Sequence, residues 1–149
     1  MLRTGLIHPQ ILEALGSAGH GSLVLISDGN FPSLTAPLRE ARRVYLNLRP
    51  GMVTVTDVLQ TLINVAPIER AVLMAPDGGG TPQVQAEVIG LLEAGTVIDM
   101  VARHEFYLAT RTDDLALVIV TGDERWYANV LLTIGSVPEA ESVARHPRA

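Results

Sequence analysis

The feature that most restricts what this chain can become is a regular alternation of short aliphatic, β-prone runs with helical patterns. Strands are expected at Ser22 to Ser27, Val44 to Leu48, Arg70 to Ala75, Thr96 to Val101, Ala116 to Thr121 and Asn129 to Ile134. Between the strands, Pro9 to Ser17 reads as a helix with proline in its first turn, Ile11, Leu12 and Leu15 on one side and Gly19 as a stop. Thr54 and Asp57 stand three apart, a variant of the capping box, ahead of Val58, Leu59, Leu62 and Ile63 at helical spacing. A third helix starts at Pro82, with Val84, Val88, Leu91 and Leu92 on its apolar face and Gln83, Gln85 and Glu87 directed elsewhere. A short fourth is expected over Arg103 to Thr110.

Such alternation produces crossover connections and a mostly parallel sheet flanked by helices, an α/β fold. The last two strands lie close enough along the chain for a hairpin-like pair through the turn Gly122 to Arg125. A length of 149 residues, 48% of them hydrophobic, fits one compact domain with a real core. The domain is expected over 1–137, with a flexible C-terminal tail over 138–149.

Composition removes several chemistries. All 11 basic residues are arginine, so Schiff-base and phosphate-loop lysines are excluded, and the absence of cysteine excludes thiol nucleophiles, disulfides and thiolate metal sites. A net charge of -5 argues against a nucleic-acid partner. The longest apolar run, Leu115 to Val120, is far shorter than the roughly 20 residues of a membrane-spanning helix, as is Leu23 to Ile26. With no apolar leader before His8-Pro9, a soluble cytoplasmic protein is expected.

In open α/β sheets, ligands bind beyond the carboxyl ends of the strands. The segments that follow the strands here are polar and aromatic: Asp28-Gly29-Asn30-Phe31-Pro32, Pro76-Asp77-Gly78-Gly79-Gly80, Arg103-His104-Glu105-Phe106-Tyr107 and Gly122 to Tyr127. Five of the six aromatic residues fall in them. Rings interleaved with carboxylates, amides and histidine suit a carbohydrate, whose C–H faces stack on rings while its hydroxyls need donors and acceptors; packing against the sheet end is the alternative. His20, between Gly19 and Gly21, is an uncrowded imidazole, suited either to proton transfer or to capping the first helix. Asp28 is a ligand-binding carboxylate or a turn-former. His104 and Glu105 are a proton-transfer pair or a helix start. The loop Asp77 to Gly80 offers backbone N–H groups to a phosphate, or serves as a flexible lid. His20, Asp28 and His104 lack ligand-type spacing on one helix, and no metal is expected.

His20, then Ser27-Asp28-Gly29-Asn30-Phe31-Pro32, then Tyr127-Ala128-Asn129, in that order and with similar gaps from Leu6 to Val137, resembles the family of ribose pyranases and fucose mutarotases. Phe31-Pro32, the stretch from Arg49-Pro50-Gly51 to Ile63 and Phe106-Tyr107 look more like the fucose branch, His104-Glu105 more like the ribose branch. There are two departures. Leu108 stands where ribose-type members carry lysine, and the helix over Pro82 to Ala94 lacks the arginine of fucose-type members.

The resemblance implies anomer exchange in a free sugar, L-fucose or a relative, without a cofactor, in a ring-shaped homo-oligomer with sites between subunits. It assigns His20 the proton transfer and places Asp28, His104, Tyr107, Tyr127 and Asn129 around the sugar. At about 3.3 Å per residue, an extended Ser22 to Ser27 sets His20 and Asp28 roughly 25 Å apart. A site would then combine Asp28 of one subunit with His20 or the Tyr127 segment of another. A sugar-binding module without turnover, a ribose pyranase and a nucleotide-binding domain built on Asp77 to Gly80 are the competing readings.

Overall fold

A computed structural model describes residues 2–139; the expected flexible tail lies almost wholly outside them. The chain forms α1 (Pro9–Ser17), β1 (Leu23–Ser27), β2 (Arg43–Tyr45), α2 (Val55–Leu62), β3 (Ile68–Met74), α3 (Gln83–Leu91), β4 (Val97–Val101), α4 (Arg103–Ala109), β5 (Leu115–Val120) and β6 (Val130–Ile134). These build one six-stranded sheet in the order β2-β5-β1-β6-β3-β4.

Local signals place the helices. Pro9 occupies the first turn of α1, where its missing N–H costs nothing. At α2, the Thr54 side chain accepts from the Asp57 amide at 3.2 Å and the Asp57 carboxylate accepts from the Thr54 amide at 2.9 Å, a reciprocal cap. At α4, Glu105 reaches back to the Ala102 amide at 3.1 Å, so the helix-start reading of Glu105 holds.

The pairing corrects one expectation. β5 and β6 form no hairpin; β5 lies parallel between β2 and β1, while β6 runs antiparallel between β1 and β3. Burial explains the choice: Val130, Leu131 and Leu132 are all buried, so both faces of β6 must be covered. A strand that is apolar on both faces belongs in the middle of a sheet. Three of the five ladders are parallel, and the sheet is mixed.

The sheet separates two cores. Val24 and Ile26 of β1 face a larger cluster with Ile11 and Ala14 of α1, Val55, Val58, Leu59 and Leu62 of α2, and Val84 and Val88 of α3. Leu25 faces the other side, where Phe106 of α4 and Phe31 meet Val118, Val120 and Leu131. Each fully buried aliphatic side chain contributes about 1.5–3 kcal/mol to holding these layers together. Arg43 on the edge strand β2 organises the loop that follows Phe31. Its guanidinium donates to the carbonyls of Ser33 (2.7 Å), Leu38 (2.8 Å), Arg39 (3.0 Å) and Ala41 (2.6 Å). No helix among the described residues is long and apolar enough to cross a membrane.

Candidate functional site

Because β6 is antiparallel, the residues that lead into it arrive at the sheet end where the parallel strands finish. Ser27, Met74 and Val101 close β1, β3 and β4 there, and Tyr127 to Asn129 come in beside them. The result is an open pocket of about 320 Å³ lined by Asp28, Asn30, Phe31, Met74, Asp77, Arg103, Tyr107, Trp126, Tyr127 and Asn129.

Asp28 and Asn129 hold each other. The Asp28 amide donates to Asn129 Oδ1 at 2.8 Å, and Asn129 Nδ2 donates to Asp28 Oδ2 at 2.8 Å. Asp28 Oδ1 accepts from the amides of Asn30 (2.9 Å) and Phe31 (2.8 Å), the turn-forming arrangement that aspartate favours. The turn-forming and pocket-lining readings of Asp28 are therefore both realised in one side chain. Burial pushes its carboxyl above the usual carboxylate range; the Asn30, Phe31 and Asn129 donors work against that, and the nearby Asp123 charge adds to it.

The aromatic wall is packed from behind. Phe31 stands edge-on to Phe106 (6.1 Å) and to Tyr107 (5.3 Å), so buried Phe106 sets the Phe31 ring and Phe31 sets Tyr107. Tyr127 adopts a left-handed backbone conformation, φ 64, and its phenol sits 3.4 Å from Asp77 Oδ2 while accepting from the Asp77 amide at 3.3 Å. Arg103 donates to Asp77 Oδ2 at 3.0 Å and lies 6.0 Å over the Tyr127 ring. The glycine loop thus contributes a carboxylate, paired with Arg103, at the pocket mouth.

Behind the pocket, Asp123 is fully buried and anchors the start of α2 by accepting from the Val55 amide at 3.0 Å. Burial raises its carboxyl, but the fork of Arg125 and the Val55 and Arg125 amides outweigh that and hold it below the usual range. Arg125 also donates to Glu87 of α3 at 2.6 Å.

These two carboxylates give opposite pH signatures. Asp28, raised in the fold, costs stability at neutral pH; that cost is relieved as the pH falls through its raised value and is gone below 3.8. Asp123, lowered in the fold, stabilises above 3.8, and its contribution is lost only as the pH falls below that value. Denaturant unfolding from pH 7 downward is expected to show a gain above 3.8 that is absent from Asp28→Asn; an identical slope in that variant would contradict this ionisation.

Of the residues expected around a sugar, Asp28, Tyr107, Tyr127 and Asn129 meet in this one pocket. Two do not join them. His104 is exposed on the outer side of α4, beside Pro32, Thr35, Leu108 and Arg111. His20 precedes β1 at the opposite end of the sheet, exposed, with Nε2 2.9 Å from Glu69 Oε2 at the start of β3. Its Nδ1 makes no hydrogen bond among the described residues. His20 and Asp28 do not meet in one chain, as the strand length requires. Tyr127, by contrast, shares its own chain's pocket with Asp28, so that segment is not what a second subunit would bring.

Sequence reading missed Arg103, Met74 and the pocket role of Asp77 and Trp126. Arg103 had a usable signal, since it opens the segment directly after β4. Gln85, expected off the apolar face, is completely buried. Among the described residues no group of three or more histidine, aspartate or glutamate side chains could hold a metal ion.

Fold and site together define an α/β protein with an open, polar and aromatic pocket at the carboxyl ends of its parallel strands. The chain belongs to the RbsD / FucU transport protein family, whose model matches residues 1–137. It is 32% identical over 139 residues to a D-ribose pyranase of Paracidovorax citrulli, covering 91% of this chain and 98% of that protein. Its fold is similar to that of Bacillus subtilis RbsD complexed with D-ribose (TM-score 0.79, 25% identity, 93% of this chain and 100% of that one). The fold is also similar to that of the Streptococcus pneumoniae fucose mutarotase in complex with L-fucose (TM-score 0.75, 21% identity, 93% of this chain and 100% of that one).

Proposed function

We propose that this chain is an isomerase that interconverts the ring forms of a free monosaccharide by acid/base opening and closing, without a cofactor. The observation that carries the reading is the pocket itself, in which two carboxylates, two amides, a guanidinium and four aromatic rings of different chain segments converge on a sugar-sized space. A D-ribose pyranase shares 32% identity with nearly the whole chain, which supports the same reaction class.

The chemistry asks for little. A proton goes to the ring oxygen as another leaves the anomeric hydroxyl; the C1–O bond breaks, C1 becomes a carbonyl, and rotation about C1–C2 lets a hydroxyl close on the other face. One acid and one base that change charge near neutrality suffice. Asp28, Asn129, Arg103 and Tyr127 bind and orient the hydroxyls, while Tyr107 and Trp126 cover the C–H faces.

Among the described residues, no histidine lines the pocket of one chain. We assign the proton transfer to His20 of a neighbouring subunit, oriented through Nε2 by Glu69, in a ring-shaped homo-oligomer. The sugar is fucose-like in this reading, because Phe31 and Met74 offer an apolar surface to a deoxy methyl group and no lysine stands at Leu108. Ribose is the second reading, favoured by the names of the relatives at 32% and 33% identity.

Saturation-transfer NMR between anomer signals of fucose, ribose and galactose, with and without protein, tests the proposal. Exchange enhanced for one sugar and lost in His20→Ala is the expected result. Sugar binding without any enhancement would replace the enzyme by a binding module.

A further inference from the structure

Gln85 lies in the first turn of α3, a helix that contributes no side chain to the pocket, and its side chain is completely buried. Its Nε2 donates to the Met74 carbonyl at 2.7 Å and to the Tyr127 carbonyl at 3.2 Å. Only the nitrogen end of the amide can face two carbonyls, which settles its orientation. The opposite end, Oε1, is buried without a partner among the described residues.

An orphaned buried acceptor is a cost that a leucine or methionine at this place would not carry. Something has to offset it. Both carbonyls that Gln85 satisfies belong to residues lining the pocket, Met74 at the end of β3 and Tyr127 before β6. Tyr127 is also the one described residue other than glycine with a positive φ, a conformation that persists only where its surroundings hold it. The phenol end of the same residue is engaged from the glycine loop by Asp77. Tyr127 is thus pinned at its carbonyl by α3 and at its hydroxyl by the loop that leads into α3.

We propose that Gln85 is a positioning residue for sugar recognition: from outside the pocket, it fixes the strained backbone of Tyr127 so that the ring of Tyr127 and the adjoining Trp126 are set before the sugar arrives. This rests on the reading of Tyr127 as a sugar-binding residue. Without the amide, the Tyr127 carbonyl loses a partner, φ relaxes towards negative values, and the 126–127 segment samples other positions.

Trp126 is the only tryptophan and is exposed at the pocket, so protein labelled with 5-fluorotryptophan gives one ¹⁹F resonance from the segment in question. The full chain is compared with Gln85→Leu and with Gln85→Met, an unbranched side chain of similar length that keeps the helix packed should the leucine variant fail to fold. The expected result is an unchanged circular dichroism spectrum, a shifted or broadened ¹⁹F line, and a KM for sugar exchange raised about tenfold with kcat within twofold. In a Tyr127→Gly background, where the ring is gone and a positive φ is free of strain, the Gln85 substitution should add nothing to KM.

An unmoved ¹⁹F line with wild-type KM would overturn the proposal. So would a KM increase that adds fully to that of Tyr127→Gly, since that is the mark of a general structural role. Failure of the parent protein to exchange any sugar would count against the enzyme reading instead, and the ¹⁹F line would still decide whether Gln85 holds the segment.

Discussion

Asp28→Asn is expected to lower kcat/KM for sugar exchange by about 100-fold while leaving the protein as stable as before, or more so. The two halves of this result have one origin. Asp28 is buried at the end of β1 with its charge disfavoured by that burial, so the fold bears a cost for keeping an anion in the pocket. Removing the charge relieves the cost. It also removes an acceptor whose bonds to sugar hydroxyls are charge-assisted, each worth about 1.5–3 kcal/mol, or roughly 10- to 150-fold. The second loss is geometric. Asn129 Nδ2 donates to Asp28 Oδ2, and an asparagine that keeps its own oxygen on the Asn30 and Phe31 amides turns an N–H group towards that donor, a mismatch that disturbs the pocket and offsets part of the stability gained. A site residue that costs stability and supplies activity separates the two measurements. Retained activity, or a lost fold, would remove Asp28 from the role given to it here.

Gly122→Ala is expected to cost about 3 kcal/mol or more, because the new Cβ has nowhere to go. It would collide with the carbonyl oxygens of both Arg49 and Met52, and these are backbone atoms that cannot swing aside. Gly122 is stitched into the loop that precedes α2: its amide donates to the Val53 carbonyl at 3.0 Å, and its carbonyl accepts from the Gly51 amide at 2.6 Å. Forcing the loop outward pulls on Thr54, which caps α2, and on Val55, whose amide is held by Asp123. At about 2–4 °C per kcal/mol for a chain of this size, the melting temperature should fall by about 10 °C. Gly78→Ala is the matched control, since its Cβ would meet nothing within 4 Å. A Gly122 variant that melts with the control would show that the 49–53 loop is free to move away.

Much of this was legible in the sequence where one short stretch carries the whole signal. The six aliphatic runs became six strands, and the Thr54 and Asp57 pair became a working cap, because strand burial and capping depend on residues a few positions apart. The polar segments after β1, β3 and β4 did assemble the pocket, since strand direction alone sends them to one sheet end. What stayed hidden depends on pairing between distant segments. β6 reads as the second arm of a hairpin by its distance from β5, yet Gly122 to Asn129 serve as a site loop and β6 crosses to lie between β1 and β3. Gln85 looks like a solvated helix residue beside Gln83 and Glu87, and only the carbonyls of Met74 and Tyr127, 11 and 42 positions away, account for its burial. Arg103 was legible only as part of the segment after β4; that its guanidinium meets Asp77 follows from the pairing of β4 with β3.

In the proposed assembly, a complete site takes the sugar-binding pocket of one chain and His20 of another. Mixing subunits tests it most directly. His20→Ala and Asp28→Ala proteins, each inactive alone, are co-refolded in equal amounts and assayed by saturation-transfer NMR on the sugar that the parent protein turns over. Mixed assemblies should regain activity, about a quarter of the parent's if subunits assort at random and every site draws on one neighbour, because some interfaces then pair an intact His20 with an intact Asp28 pocket. A mixture that exchanges subunits, shown by mass spectrometry, and yet stays inactive would contradict the shared site and return the proton transfer to groups within one chain.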